Sequence, residues 1–409
     1  MGNKRFTIIE GGGVTTPKGF KAGGLHCGLK KTDRHDLGVI VCEVPAAAAA
    51  VYTTNLFQAA PLLVTRESLG KGGTLRAVIV NSGNANACTG EQGDADARTM
   101  QSNTAEALGV SKDQVAVAST GVIGELLKMD RVTSGIDKLP GRLREDIQGS
   151  DDFCQAILTT DLVKKVSCVS VQVDGRQVTI AGAAKGSGMI HPNMATMLGF
   201  VTTDVSIGSD LLQQLLREVT NVSFNMITVD GDTSTNDMLV AMASGLAGNE
   251  ELTRDHPDFA AFADGLRHVC AELAKAIARD GEGATKLIET TVIGAASDEA
   301  AQAIAKTIIG SSLVKSAVYG ADANWGRIIA AVGRAGQPVN VGTVDIRLGD
   351  ILVLEQSRPI PFDEEIALEY LKGDTVGINV NLNMGSGKAT AWGCDLTYDY
   401  VRINAAYRT

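Results

Sequence analysis

In this chain of 409 residues, Thr196 has the surroundings of a nucleophile. It follows Ala195 at the end of a glycine- and proline-broken loop and precedes an apolar run that opens with Met197 and Leu198. A hydroxyl placed after a small residue at the lip of a strand can attack the peptide carbonyl on its own N-terminal side. The peptide shifts to an ester, the chain opens, and Thr196 becomes a new N-terminus whose amine can serve its own hydroxyl as base. The same pair also reads as an ordinary strand start.

Three further groups have chemical promise. Ser119-Thr120-Gly121 ends the apolar run 115–118. A glycine at a bend after a strand exposes backbone N–H groups, the donors an oxyanion hole needs; as a bare motif it is equally a structural turn. Thr159-Thr160-Asp161 reads as a helix-ending turn or cap. Glu282 sits between Gly281 and Gly283. Its carboxylate could pair with an ammonium group, or be a solvent-exposed loop acid. The run 230–237 holds four polar and three acidic residues with a glycine and tempts a calcium reading. It lacks the glutamate at the twelfth loop position, where Ala241 stands, so hydrogen-bonded turns are expected.

The elements that must position these groups follow from periodicity. Residues 37–44 and 76–80 are apolar and β-prone, as buried strands are. The loop 81–87 is small and polar. Residues 94–108 carry helical spacing. Valines at 169, 171 and 173, then Asp174-Gly175, then Val178 and Ile180, predict a hairpin with a type I′ turn. Apolar residues at 259, 262, 266, 269, 273 and 277 give a helix with one apolar face. Ala301, Ile304 and Ile308 mark another, closed by Gly310. Residues 376–382 and 394–400 alternate as half-buried strands do. The mixture predicts an α/β fold of layered sheets and helices, with residues 286–409 as a second, smaller α/β unit.

Composition narrows the function classes. Hydrophobic residues make up 44% and charged residues 21%, with a net charge of -10. The acidic balance argues against nucleic acid or an anionic membrane as partner. No apolar run approaches the length of a membrane span, and the N-terminus has no secretory pattern, so cytoplasm is the expected location. Seven scattered cysteines and five histidines without metal-ligand spacing predict free thiols and no metal site.

Residues 185–189 (Lys-Gly-Ser-Gly-Met) and the junction 195–198 (Ala-Thr-Met-Leu) resemble the cleavage segment of the ornithine acetyltransferase (glutamate N-acetyltransferase) family. The similarity extends from about Pro17 to Thr409 and includes 51–55 and 319–327. It implies the layered α/β sandwich of self-processing aminopeptidases. It also implies autocatalytic cleavage into an α chain, 1–195, and a β chain, 196–409, which assemble with a second pair as a heterotetramer. The implied activity is acetyl transfer from N2-acetyl-L-ornithine to L-glutamate through an acetyl-threonine. No bound cofactor is implied; acetyl-CoA is a second acyl donor for some relatives. By the same resemblance, Thr120 and Gly121 hold the oxyanion, while Thr159, Lys185, Thr196, Glu282, Asn404 and Thr409 contact substrate. Relatives often end in serine where Thr409 stands. Two rivals remain open. A self-processed amidase or aminopeptidase of the same fold would hydrolyse the acyl-enzyme, and a non-catalytic binding protein would keep an intact chain.

Overall fold

The computed structural model describes residues 5–191 and 197–406. The chain divides into two compact units. The first takes Met1–Gly186, Pro192–Phe224 and Thr233–Leu273, and the second takes Ser187–His191, Asn225–Asp232 and Ala274–Thr409.

The strands are β1 (Phe6–Ile8), β2 (Phe20–Leu25), β3 (Leu37–Tyr52), β4 (Thr74–Asn84), β5 (Val115–Val122), β6 (Lys165–Val173), β7 (Arg176–Lys185), β8 (Leu198–Thr203), β9 (Ile227–Thr228) and β10 (Met238–Ala243). All but β9 form the sheet of the first unit, in the order β1-β6-β7-β8-β10-β3-β4-β5, with β2 also on β3. Its helices are α1 (Ala60–Gly70), α2 (Gly90–Leu108), α3 (Met129–Ile136), α4 (Ile147–Ile157) and α5 (Ser209–Asn221). A sixth, α6 (Phe259–Arg279), runs on past Leu273 into the second unit.

One strand decides the shape of this unit. β3 is 16 residues long, and its pairing with β4 shifts register between Val41 and Ala46. Pro45 lies inside that gap. It has no N–H to give a ladder, so an irregular position is where a strand proline is tolerated. Along one edge β3 pairs with β2 before Pro45 and with β10 after it, while β4 follows the other edge on both sides. The sheet can therefore fold across itself. Ile40, Val78, Val80 and Ala118 from one limb share a core with Ala183, Leu198, Phe200 and Val240 from the other. Phe153 of α4 closes it edge-on to Phe200, ring centroids 5.2 Å apart. Because side chains alternate, Val39, Ala77, Ile79 and Val117 point to the opposite face and meet α2 and α3. The alanine run 46–50 continues β3, and residues 81–84, read above as loop, prolong β4.

The hairpin β6–β7 turns at Asp174-Gly175 with φ of +52° and +67°, as a type I′ turn demands. This hairpin carries Lys185 to the end of β7.

The second unit holds β9 with β11 (Leu287–Ala295), β12 (Asp345–Leu348), β13 (Ile351–Glu355), β14 (Arg358–Pro359), β15 (Thr375–Asn381) and β16 (Gly387–Cys394). Their order is β14-β13-β12-β15-β11-β16-β9. Helices α7 (Asp298–Ile309), α8 (Ser312–Tyr319), α9 (Trp325–Gly333), α10 (Glu364–Leu371) and α11 (Tyr398–Ala405) accompany them. Ile304 and Ile308 of α7 pack with Ile288, Val292, Val376 and Ile378 of the sheet. The alternation expected over 394–400 is corrected here. Strand β16 stops at Cys394, and the Thr397 hydroxyl accepts the Tyr400 N–H to start α11. An N-cap threonine outweighs a short alternation because it satisfies a donor the helix would leave unpaired. Asn324 and Trp325 serve structure: Asn324 caps α9, accepting from the Arg327 N–H at 3.2 Å, and Trp325 packs on the core.

Candidate active site

Ala195, Thr196 and Thr409 lie outside the described residues. The other candidate residues fall into two groups, one within each unit.

In the first unit, β5 presents Thr120 and Gly121 beside Ser82 and Gly83 of β4. Gly121 has φ +136°, and an added Cβ would stand 2.7 Å from the Gly83 carbonyl oxygen and closer still to Gly83 C and Asn84 N. Only glycine fits, because a backbone in the way cannot rotate aside. The strand end is pinned from behind. Asn236 donates to the carbonyls of Ser119 (2.9 Å) and Ala85 (2.5 Å), and Ser119 donates to Asn81 at 2.5 Å. Folding of the sheet at β3 brings Lys185 of β7 to this bend: its Nζ lies 3.3 Å from Thr120 Oγ1, and both residues are only 8% exposed.

Asp161 underlies the same group. It is 1% exposed, in the turn between α4 and β6. Its Oδ2 accepts from the Thr159 N–H at 3.0 Å, and its Oδ1 accepts from the Gly186 N–H and from Lys165 Nζ, each at 2.7 Å. Burial would raise its pKa. The charges of Lys185 and Lys165, with these hydrogen bonds, overcome that and hold the carboxyl well below the usual carboxylate range. The Asp161–Lys165 pair is fully buried on both sides, so removing one partner is expected to cost about 3–5 kcal/mol. Sequence reasoning passed over Asp161 as a cap. The available signal was Lys165 four residues on, a spacing too common to single it out.

In the second unit, Glu282 is 8% exposed, not the solvated loop acid its composition allows. Its N–H donates to the Ser187 carbonyl at 2.9 Å, and Asn404 Nδ2 donates to its Oε2 at 2.9 Å. The flanking glycines are dictated by packing. A Cβ at Gly281 would meet Cys394 Sγ at 2.7 Å, and Gly283, at φ +71°, would meet the Tyr400 N at 2.6 Å. The Glu282 carboxylate lies over Gly188, whose missing side chain leaves it room. Asp230 holds the same segment by accepting the N–H groups of Met189 (2.6 Å) and Ile190 (2.8 Å), so its oxygens serve turns.

Among the described residues, Asp174, His256 and Asp258 have metal-like proximity. Both imidazole nitrogens are engaged there: Nδ1 accepts from the Asp258 N–H at 3.0 Å, so Nε2 donates to Asp174 Oδ1 at 2.9 Å. No helix among the described residues is long and apolar enough to cross a membrane.

The geometry so far offers a strand-end bend, a buried ammonium group and a buried carboxylate. The ArgJ family model matches residues 21–409. The chain belongs to the ArgJ family. Curated ArgJ relatives are similar along their whole length. The arginine biosynthesis bifunctional protein ArgJ of Geobacillus kaustophilus is 60% identical over 404 residues, 98% of each chain. That of Bacillus subtilis is 58% identical over 398 residues, 97% of each. Among solved structures, a chain of the ArgJ protein from Bacillus halodurans is 62% identical, with a TM-score of 0.51. It is covered in full and spans 52% of this chain.

Proposed function

We propose that this ArgJ-family chain is an acyltransferase that moves an acetyl group from N2-acetyl-L-ornithine to L-glutamate. The observation carrying this reading is identity of 60% sustained over 98% of both chains with a bifunctional ArgJ protein.

The mechanism begins with maturation. The Thr196 hydroxyl adds to the Ala195 carbonyl, the peptide becomes an ester, and water cleaves it into chains 1–195 and 196–409. A relative's solved chain spanning 52% of this one, where curated relatives span 98%, supports a two-chain product. The freed α-amine then takes the hydroxyl proton as Thr196 attacks the acetamide carbonyl of the donor. Thr120 and Gly121 stabilise the oxyanion, a contribution worth about 10²–10³ in rate for one donor. The ornithine amine leaves with the proton, and an acetyl-threonine ester remains. The glutamate amine attacks that ester and regenerates the hydroxyl. Thr159, Lys185, Glu282, Asn404 and Thr409 serve as the substrate contacts that the family resemblance implies, and the charges of Lys185 and Glu282 suit an amino-acid substrate. With acetyl-CoA as donor, the same threonine accepts the acetyl group and the thiol departs. Two chain pairs assemble as a heterotetramer, and the enzyme works in the cytoplasm.

The test is mass spectrometry of purified protein incubated with N2-acetylornithine. Two chains meeting at 195/196 and an acetyl adduct on the chain beginning at Thr196 are expected. Thr196→Ala should stay as one chain, carry no adduct and lose transfer. Ornithine release that glutamate does not accelerate would favour the amidase instead.

A further inference from the structure

Thr159, Lys185 and the start of the loop after β7 all hang on Asp161. One carboxylate accepts from the Thr159 N–H, the Gly186 N–H and Lys165 Nζ, and stands beside the charge of Lys185. Gly186 directly follows Lys185, and Lys165 pairs across the ladder with Ala184. The backbone on both sides of Lys185 is therefore held by groups that Asp161 touches. Only an acid satisfies this arrangement. An asparagine would turn an amide N–H₂ toward one pair of donors or the other, leaving donors face to face.

The local charge supports a further step. Among the described residues, the charged groups around Lys185 in this unit include Asp161, Lys165 on β6 and Lys30 in the loop after β2. Burial pushes the Lys30 ammonium down to about 8, against the pull of Asp36. Asp36 accepts the N–H groups of Cys27, Gly28, Leu29 and Lys30. Lys185, Lys165 and Lys30 outnumber the carboxylates of Asp161 and Asp36, which leaves the locality positive and suits the carboxylate end of an amino acid.

We propose that Asp161 is a positioning residue for substrate: through the Gly186 N–H it fixes the strand end that carries Lys185, and through the Thr159 N–H it fixes Thr159, with Lys165 as its counter-ion. The proposal rests on Lys185 and Thr159 contacting substrate, as argued above.

The experiment measures kcat and KM for N2-acetylornithine and glutamate between pH 6 and 10. Asp161→Asn alone strands a buried Lys165, so the working variant is Asp161→Asn with Lys165→Met. It should fold and cleave, and raise KM at least tenfold with kcat within threefold. The cause is that the Gly186 and Thr159 N–H groups then lose the carboxylate that orients them. Asp161→Glu keeps the charge on a longer arm that misplaces the same donors; it too should raise KM. A working variant with native KM overturns the proposal. So does Asp161→Glu with native KM, which decides the matter if the double variant does not fold. Lys185→Met separates the two levels. If it too leaves KM native, the substrate-contact reading fails; if it raises KM while the Asp161 variants do not, only the positioning role fails.

Discussion

Gly188→Ala tests whether the buried Glu282 carboxylate is placed for substrate. A Cβ at position 188 would lie 2.6 Å from Glu282 Oε1, with Cδ and Oε2 nearer still. Ordinary contact begins at 3.4 Å, so the carboxylate must retreat by at least 3.4 − 2.6, about 0.8 Å. The backbone cannot share the movement, because Gly281 and Gly283 are already packed against Cys394 and Tyr400. The side chain therefore swings, and its 2.9 Å bond from Asn404 is stretched past the usual ~3.2 Å limit. A carboxylate end yields easily, so the stability cost should be about 1 kcal/mol. Catalysis should suffer more: a misplacement of roughly 1 Å in a substrate-positioning group costs up to about 10²-fold. We expect kcat/KM for N2-acetylornithine to fall about 10–100-fold, chiefly through KM. Cleavage at 195/196 is quantified first by mass, and ornithine release is expressed per cleaved chain. Thermal melting is run alongside. A cleaved, normally melting Gly188→Ala enzyme with kcat/KM within twofold of native would refute the placement of Glu282 at the substrate.

Gly121→Ala combines a backbone conformation that L residues avoid with a Cβ lodged against Gly83. The strain and the overlap together should remove about 2–5 kcal/mol of stability, read by urea unfolding. Surviving enzyme should lose kcat by about 10²-fold; native kcat would remove Gly121 from the oxyanion role. Thiol labelling supplies an independent check on packing. Cys88 is exposed, whereas burial pushes the thiols of Cys154, Cys168 and Cys270 up to about 12, and burial with Asp36 does the same to Cys27. Iodoacetamide at pH 8 should therefore modify one cysteine quickly in the folded protein and all seven in denaturant. Equally fast labelling of Cys154, Cys168 or Cys270 would mean that the helix or strand carrying it opens.

Sequence alone determined what is local. The β6–β7 hairpin was legible because Asp174-Gly175 can adopt the positive φ values the turn needs. The helices α6 and α7 were legible because one apolar face at helical spacing has few other uses. The candidate residues were legible as types: a threonine after alanine, a glycine at a strand end, a glutamate between glycines. Tertiary structure decided which of them meet. Lys185 and Thr120 are 65 residues apart in sequence, and they meet because β3 exchanges β2 for β10 along one edge around Pro45, where its register with β4 shifts and the sheet folds over. Asp161 reads as a cap until that folding surrounds it with buried lysines. Glu282 reads as a surface acid until α11, itself mistaken for a strand, brings Asn404 to it. Periodicity reports which face of an element is apolar; it carries no information about which distant strand end will lie opposite, and a buried charge is recognisable only from its partners.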